Sequence, residues 1–532
     1  MRLLGILLAL ATANAAALAQ TNRWQPRSMS LEDCMEIALH HNLDVLIKRY
    51  SPEINRYTLS AVYGAYDPSF FARGEHDYSL MPGGLDAQER PYSGTESESG
   101  VFNLGLQGLL PWGTTYNLGG RLSDTYGTLA GTIPGIQTGF TTNTFIDANN
   151  PSTNISFLTP VFSSVPVRVP FENTLGSIGI TMTQPLLKNF WIDATRLQIL
   201  IDKAQLKISE LDLRFTVMNT VFQVEQAYDL LIYSQDKIRV QQRALELAEQ
   251  QLAENKKRVE VGAMAPLDEK QAESQAAQSR ADLLAALGGE ETQQRVLKKL
   301  LSDDYFKWET VSIQPTIKLV ALPQKFDLQE SWRKGMKLRP DLIEARLSVD
   351  QQGHRVRFQR NQLFPQLDAV GSYGYNAGSK EFSGALDQFA GRNNPFWTVG
   401  AQLTIPLANI SARNNYRLAK ATKEQIALQL RQDEQNVLIQ IENDVAAANT
   451  SFQQVDATRE ARIYAEAALD AEKKKLESGK STSFVVLQLT KDLTTAENAE
   501  INALATYNIA LAQIALDEGT ILERQHITLE MK

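Results

Sequence analysis

Between positions 190 and 258 the chain contains neither proline nor glycine, and positions 411 to 477 repeat the feature. At 1.5 Å of rise per residue the first stretch makes roughly 100 Å of helix. Leu200, Ala204, Ile208, Leu211, Phe215, Met218 and Phe222 step by threes and fours, so one face is a coiled-coil seam, while Ala, Gln, Glu and Lys dominate elsewhere. A helix of that length has no compact core of its own. It needs lateral partners, and a tube of packed helices is one solution.

The two long stretches belong to an internal duplication. Residues 29 to 78 lie on residues 326 to 375 without a gap, so that Leu31, Asp44, Arg49, Ser51, Pro68, Ala72, Gly74 and Tyr78 meet Leu328, Asp341, Arg346, Ser348, Pro365, Ala369, Gly371 and Tyr375. The likeness resumes at Gln184-Pro185-Leu186 with Ile405-Pro406-Leu407, and at Lys256-Lys257-Arg258 with Lys473-Lys474-Lys475. Each copy runs through short helices, a strand, a polar loop, a second strand, a very long helix, a tight turn and a returning helix. The first copy spans 20 to 300, with strands over about 67 to 185, the long helix over 190 to 258, a tip at 259 to 266 and the return over 267 to 301. The second spans 326 to 518, with strands over about 366 to 406, the long helix over 411 to 477, a tip at 478 to 482 and the return over 482 to 518. Residues 302 to 325, with Pro315 and Pro323, form a partly extended linker, and 519 to 532 a tail.

The strands alternate. Val399, Ala401, Leu403 and Ile405 face one way and Thr398, Gly400, Gln402 and Thr404 the other; Ile178, Ile180 and Met182 alternate in the same manner with Ser177, Gly179, Thr181 and Thr183. In a soluble sandwich this means core and solvent, and in a membrane barrel lipid and water. The stretches 79 to 99, 124 to 173 and 376 to 396, rich in Gly, Ser, Thr, Asn and Pro, favour the barrel as long loops at one end of the strands. Residues 105 to 123, around Pro111-Trp112-Gly113, read as an additional hairpin that either enlarges the barrel or folds back on its surface.

The first twenty residues have the form of a secretory signal: Arg2, an apolar run from Leu3 to Leu10, and Ala17-Leu18-Ala19 as a cleavage site after position 19. That apolar run is shorter than the roughly 20 residues that cross a bilayer. A single cysteine, Cys34, excludes an internal disulfide and is expected to be a buried side chain on a short helix. A net charge of −8 without a basic stripe argues against nucleic acid, and five scattered histidines make no metal cluster. No Gly-x-Ser-x-Gly elbow or His-Glu-x-x-His pair is present, and Gly479-Lys480-Ser481 lacks the upstream glycine of a phosphate loop, so neither an enzyme nor a cofactor is expected.

The duplicated order, with Leu338-Arg339-Pro340-Asp341-Leu342 and the turn Arg258-Val259-Glu260-Val261-Gly262-Ala263-Met264-Ala265-Pro266-Leu267-Asp268, resembles the TolC family of outer-membrane channels over nearly the whole mature chain. The resemblance implies a mixed α and β membrane protein. It is expected to be a homotrimer whose β-barrel, about four strands per subunit with or without the extra hairpin, sits in outer-membrane lipid and continues into a periplasmic α-helical barrel. It also implies an exit duct for small toxic molecules, served by a periplasmic adaptor and an inner-membrane pump. Type I secretion of proteins through the same duct is one alternative, and a surface coiled-coil adhesin is another.

The tips carry the expected functional residues. Val261, Gly262 and Ala263, with Ser478, Gly479 and Lys480, are candidates for contact with the adaptor, and the glycines serve equally as simple helix caps. Asp268 stands where the family carries an aspartate of the constriction, and is also a first-turn acid favoured by the helix dipole. Val485 and Gln488 stand where related proteins place acidic constriction residues, so closure by an acidic ring is weakened in this chain.

Overall fold

A computed structural model describes residues 25–85, 89, 91–146 and 154–528. The expected signal, 1 to 19, lies outside the described residues. The chain divides into two compact units, one of residues up to 59, 201–352 and 421–532, the other of residues 60–200 and 353–420. In chain order the elements are β1 (Gln25–Met29), α1 (Leu31–His41), α2 (Leu43–Tyr63), β2 (Ser69–Met81), β3 (Thr95–Leu109), β4 (Thr115–Ile146), β5 (Asn154–Pro185), α3 (Ala194–Glu260) and α4 (Pro266–Leu301). They continue with β6 (Val311–Pro315), α5 (Leu328–Leu338), α6 (Pro340–Asn361), β7 (Gln366–Ser379), α7 (Phe382–Ala390), β8 (Pro395–Thr404), α8 (Ile410–Glu477), α9 (Ser483–Asp517) and α10 (Ile521–Arg524).

The main sheet of the strand unit is antiparallel, in the order β8-β7-β5-β4-β3-β2, beside a two-stranded ribbon of Gly84–Leu85 and Pro91–Tyr92. It has six strands because the hairpin at residues 105 to 123 enlarges the sheet instead of folding back: β3 and β4 turn through Gly113, at φ +91°, and both are fully paired. The register sorts the side chains into rows. Phe70, Leu106, Leu118, Ile180, Tyr373 and Trp397 are cross-strand neighbours from one edge of the sheet to the other, and one residue along lie Ser69, Gln107, Asn117, Thr181, Ser372 and Thr398. Successive strand residues point to opposite faces, so where the six strands lie side by side one face is apolar and the other polar. On β8 the apolar face runs from Pro395 to Leu403, about 27 Å of strand at 3.4 Å per residue. That length fits the roughly 25 Å apolar band of a transmembrane barrel.

The polar face carries a row of glycines, Gly105, Gly119, Gly179 and Gly374, between Phe71 on β2 and Phe396 on β8. The two rings lie over that row, where a Cβ on Gly105 would meet Phe71 and one on Gly374 would meet Phe396. Aromatic cover of glycine in this way lets a sheet curve without leaving a void.

None of the three expected loops is wholly a loop. In 79 to 99, β2 and β3 pair as far as Met81↔Thr95, and Gly84–Leu85 pairs with Pro91–Tyr92 beyond them. Most of 124 to 173 is strand: β4 and β5 stay paired from Leu129↔Val169 to Ile146↔Asn154, past the last pairing of β3 with β4 at Glu96↔Thr128 and of β5 with β7 at Thr174↔Ser379. The Thr, Val, Ile and Phe residues spread through it favour strand, and prolines 160, 166 and 170 are tolerated because the strand has a free edge that needs no donor. Part of 376 to 396 is α7.

In the helical unit α1 starts on a capping box, Ser30 with Asp33, and presents Cys34, Met35 and Ala38 to a core that also holds Met29, Tyr228, Leu231, Leu297, Ile313 and Ile521. Cys34 is fully buried, and burial pushes its thiol up to about 12. The segment between the repeats adds β6, which pairs in parallel with β1. Tyr228 closes this corner: its hydroxyl donates to the Met29 carbonyl at 2.9 Å and accepts from the Thr316 amide at 3.1 Å. A second core gathers Leu342, Val437, Ile441, Val445 and Ile514. At its margin the Arg339 guanidinium donates to Asp517 at 2.7 Å and to Asp341 at 2.8 Å.

Candidate functional site

Both long helices end in the same way, and the backbone shows why glycine stands there. Gly262 has φ +74° and Gly479 φ +73°, a left-handed conformation that costs an L residue with a Cβ about 1 to 2 kcal/mol. The amides of Gly262 and Ala263 donate to the carbonyls of Val259 and Arg258 at 3.0 and 2.7 Å, and those of Gly479 and Lys480 to Leu476 and Lys475 at 3.1 and 2.8 Å. This is a Schellman cap at the equivalent position of each repeat. Lys257 with Arg258, and Lys474 with Lys475, occupy the last turns, where the negative end of the helix dipole favours cations.

The tips are exposed. Val261 is 78% exposed, and beside it on the returning helices Leu267 is 66% and Phe484 57% exposed, so apolar side chains stand in water next to the cationic helix ends. Ala263, Ser478 and Lys480 are exposed too. Ser478 Oγ donates to the Lys475 carbonyl at 2.9 Å, and Ser481 Oγ to Glu472 at 2.5 Å. Neighbouring basic and apolar side chains on a rigid turn can take up a partner helix with apolar contacts and a carboxylate; nothing in the arrangement activates a nucleophile.

The three expected constriction residues sit in the opening turns of the returning helices. Asp268 is half-buried in the first turn of α4; Val485 and Gln488 lie exposed on α9, with Gln488 donating to Asp492 at 3.0 Å. Asn255 brings these turns together. Wholly buried on α3, its Nδ2 lies 2.6 Å from Ser483 Oγ at the start of α9 and 3.2 Å from the Asp268 carbonyl at the start of α4. Gln251 Nε2 donates to Asn255 Oδ1 at 2.9 Å. Sequence reasoning missed Asn255, although an amide inside a helical seam, four residues from a glutamine, is the signal that could have found it. Leu476 packs with Leu469, Val486 and Leu493 in a small core of their own.

Higher on the same helix Glu225 and Asp229 are buried one turn apart. Glu225 takes Arg524 at 2.9 Å and Gln525 at 3.0 Å from the C-terminal segment. Burial, then the Glu225 charge, pushes the Asp229 carboxyl up to about 7 against the opposing pull of Arg524.

The pattern of the "Outer membrane efflux protein" family matches residues 169–302 and 336–518. The chain is 25% identical over 364 residues to the outer membrane protein TolC of Vibrio cholerae, covering 67% of this chain and 80% of that one. It is 24% identical over 326 residues to TolC of Escherichia coli, covering 60% of this chain and 64% of that one. The fold superposes on the Campylobacter jejuni CmeC outer membrane channel with a TM-score of 0.61 at 16% identity, over 92% of this chain and 86% of the other. With the family pattern spread over both repeats and more than half of its length, the chain belongs to the outer membrane efflux protein family and is an outer-membrane channel, not an enzyme.

Proposed function

We propose that three copies of this chain form the exit duct of a tripartite efflux system, carrying small toxic molecules from a periplasmic adaptor and inner-membrane pump to the exterior. The observation that carries the reading is the row pattern of the sheet, apolar on one face and polar on the other across all six strands, with β2 and β8 left as free edges. Open edges are not tolerated in lipid, so the sheet must close on further copies. The polar face then lines water and the apolar face meets lipid.

The helical unit supports the same assembly. Along α2, Leu43, Ile47, Tyr50, Ile54 and Tyr57 recur at alternating steps of four and three and are all exposed in the single chain. An a/d stripe of this kind is a seam awaiting a partner helix, and a neighbouring copy supplies one. The adaptor docks at the tips around Val261, Gly262, Ala263, Ser478, Gly479 and Lys480. Asp268, Val485 and Gln488 surround the tunnel mouth, where three Asp268 carboxylates favour cations and the valines narrow the opening.

The test is dye extrusion. A strain lacking the gene should accumulate a cationic fluorescent dye several-fold over wild type, and re-expression should restore extrusion. An unchanged dye level, with the protein folded in the outer membrane, overturns the assignment to small-molecule efflux.

A further inference from the structure

The hairpin of β4 and β5 beyond the sheet inverts the pattern below it. Within the membrane-sized band the face bearing Ser69, Gln107, Asn117 and Thr181 is polar, and along β4 and β5 it continues as Arg121, Ser123 and Thr125 opposite Ser177, Leu175 and Asn173. From Gly127 to Ile133 the same face becomes apolar: Gly127 pairs with Phe171, Leu129 with Val169 and Gly131 with Val167, and Ile133 follows before the register shifts. The opposite face changes the other way, from the apolar rows to Glu98, Tyr126 and Glu172, then Thr128 and Arg168. At this height the outer surface is charged and the inner one is greasy.

A ribbon running up into water gains nothing from an apolar face unless that face is covered. Leu129, Ile133 and Val169 are each about half exposed, so this chain does not cover them. Among the described residues, no strand of the sheet pairs with the ribbon beyond Thr128 on β4 or Thr174 on β5. The paired extension from Leu129 to Ile146 is about 60 Å long at 3.4 Å per residue, and a lone two-stranded hairpin is marginal in water. Prolines 160, 166 and 170 remove donors along β5, so edge-to-edge addition of another strand is a poor way to cover it. What remains is face-to-face packing. The face continues the one that, on the duct reading, points at the axis, and only other copies of the chain stand across that axis.

We propose that the apolar inner faces of the β4–β5 hairpins, around Leu129, Ile133, Val167 and Val169, pack against one another in the assembled protein and form an apolar gate over the outer mouth of the duct. The inference rests on the duct reading, since it needs several copies around one axis. The gate is built from this chain alone, so it closes the exit without the adaptor. Apolar solutes part the three hairpins more readily than ions, because the constriction offers no polar partner to replace a hydration shell.

The experiment uses full-length protein with Cys34 replaced by alanine, so that an introduced cysteine is the sole thiol. Leu129→Cys and Ile133→Cys on the inner face, and Ala130→Cys on the outer, are purified in detergent, sized by light scattering and oxidised. Inner-face cysteines should link two chains of each trimer, and Ala130→Cys should stay monomeric on a non-reducing gel. In planar bilayers L129S/I133S/V169S should conduct at least twofold more often or more strongly than wild type. A trimer in which neither inner cysteine cross-links and the triple serine variant conducts as wild type overturns the gate. A protein that is not a trimer by mass overturns the duct reading beneath it, and the light scattering separates the two failures.

Discussion

Asn255 Nδ2 lies 2.6 Å from Ser483 Oγ, and one side chain of the outgoing helix thereby holds the first turns of both returning helices. The network is buried, so removing Asn255 takes its amide donor from the Asp268 carbonyl and leaves Ser483 Oγ only the longer bond from Gln251 Nε2 at 3.4 Å. Loss of a buried hydrogen-bond partner costs about 1 to 3 kcal/mol. Asn255→Ala should lower the melting temperature by several degrees and speed proteolysis at the tips. An unchanged melt and digest would mean that the side chain only fills space.

The Schellman glycines give a prediction of conformational cost without steric cost. Gly262 and Gly479 have nothing within 4 Å of an added Cβ, but both have positive φ. Alanine at either should destabilise by about 1 kcal/mol. Gly288, inside α4 with the same open surroundings and no positive φ, should be stabilised by alanine by about 0.5 to 1 kcal/mol. Denaturant midpoints of the three variants should separate in sign; a shared sign would contradict the argument.

Asp229 makes the helical unit sensitive to pH. Its folded pKa of about 7 lies above the ordinary value of 3.8, so between those values the folded state binds more protons than the unfolded chain. Stability therefore falls as pH rises from about 4 through 7, by up to about 4 kcal/mol for a shift of that size. Glu344, also raised to about 7 chiefly by burial, adds to the same slope. Asp229→Asn should flatten the fall in melting temperature between pH 5 and pH 8. A melt that rises with pH in the wild type would reverse the assignment.

Arg339 is held between Asp517 and Asp341 with its guanidinium almost fully buried. Cutting one side of a buried pair costs about 3 to 5 kcal/mol, because the other charge stays behind in a dry site. Arg339→Leu should unfold the corner joining α5, α6 and α9. Arg339→Lys should restore little, since an ammonium cannot make two forked bonds at once. Wild-type stability of the lysine variant would show that charge alone suffices.

How far the sequence was legible depended on the range of the signal. The long helices were readable because propensity and seam period agree over many turns without proline or glycine. The strands near residues 178 and 399 were readable because a half-buried sheet imposes a period of two. The hairpin beyond Leu129 was not, because Thr, Ser, Asn, Gly and Pro carry the composition of a loop, and only the pairing of β4 with β5 makes those residues strands. At the tips, Gly262 and Gly479 announce a cap by their type. Asn255 marks itself only as a seam amide four residues from Gln251; the two turns it clamps are 13 and 228 residues away, so the clamp was not legible. The buried pair of Glu225 and Asp229 was hidden for the same reason, since its counter-charge Arg524 lies 299 residues on from Glu225.

The central claim, a water-filled duct through a barrel of several copies, is tested most directly by single-channel recording of the purified protein in planar bilayers, beside Asp268→Ala. The account predicts discrete conductance steps and a weaker preference for cations in the variant. A folded trimer that never conducts, even with the outer hairpins opened by L129S/I133S/V169S, would contradict it.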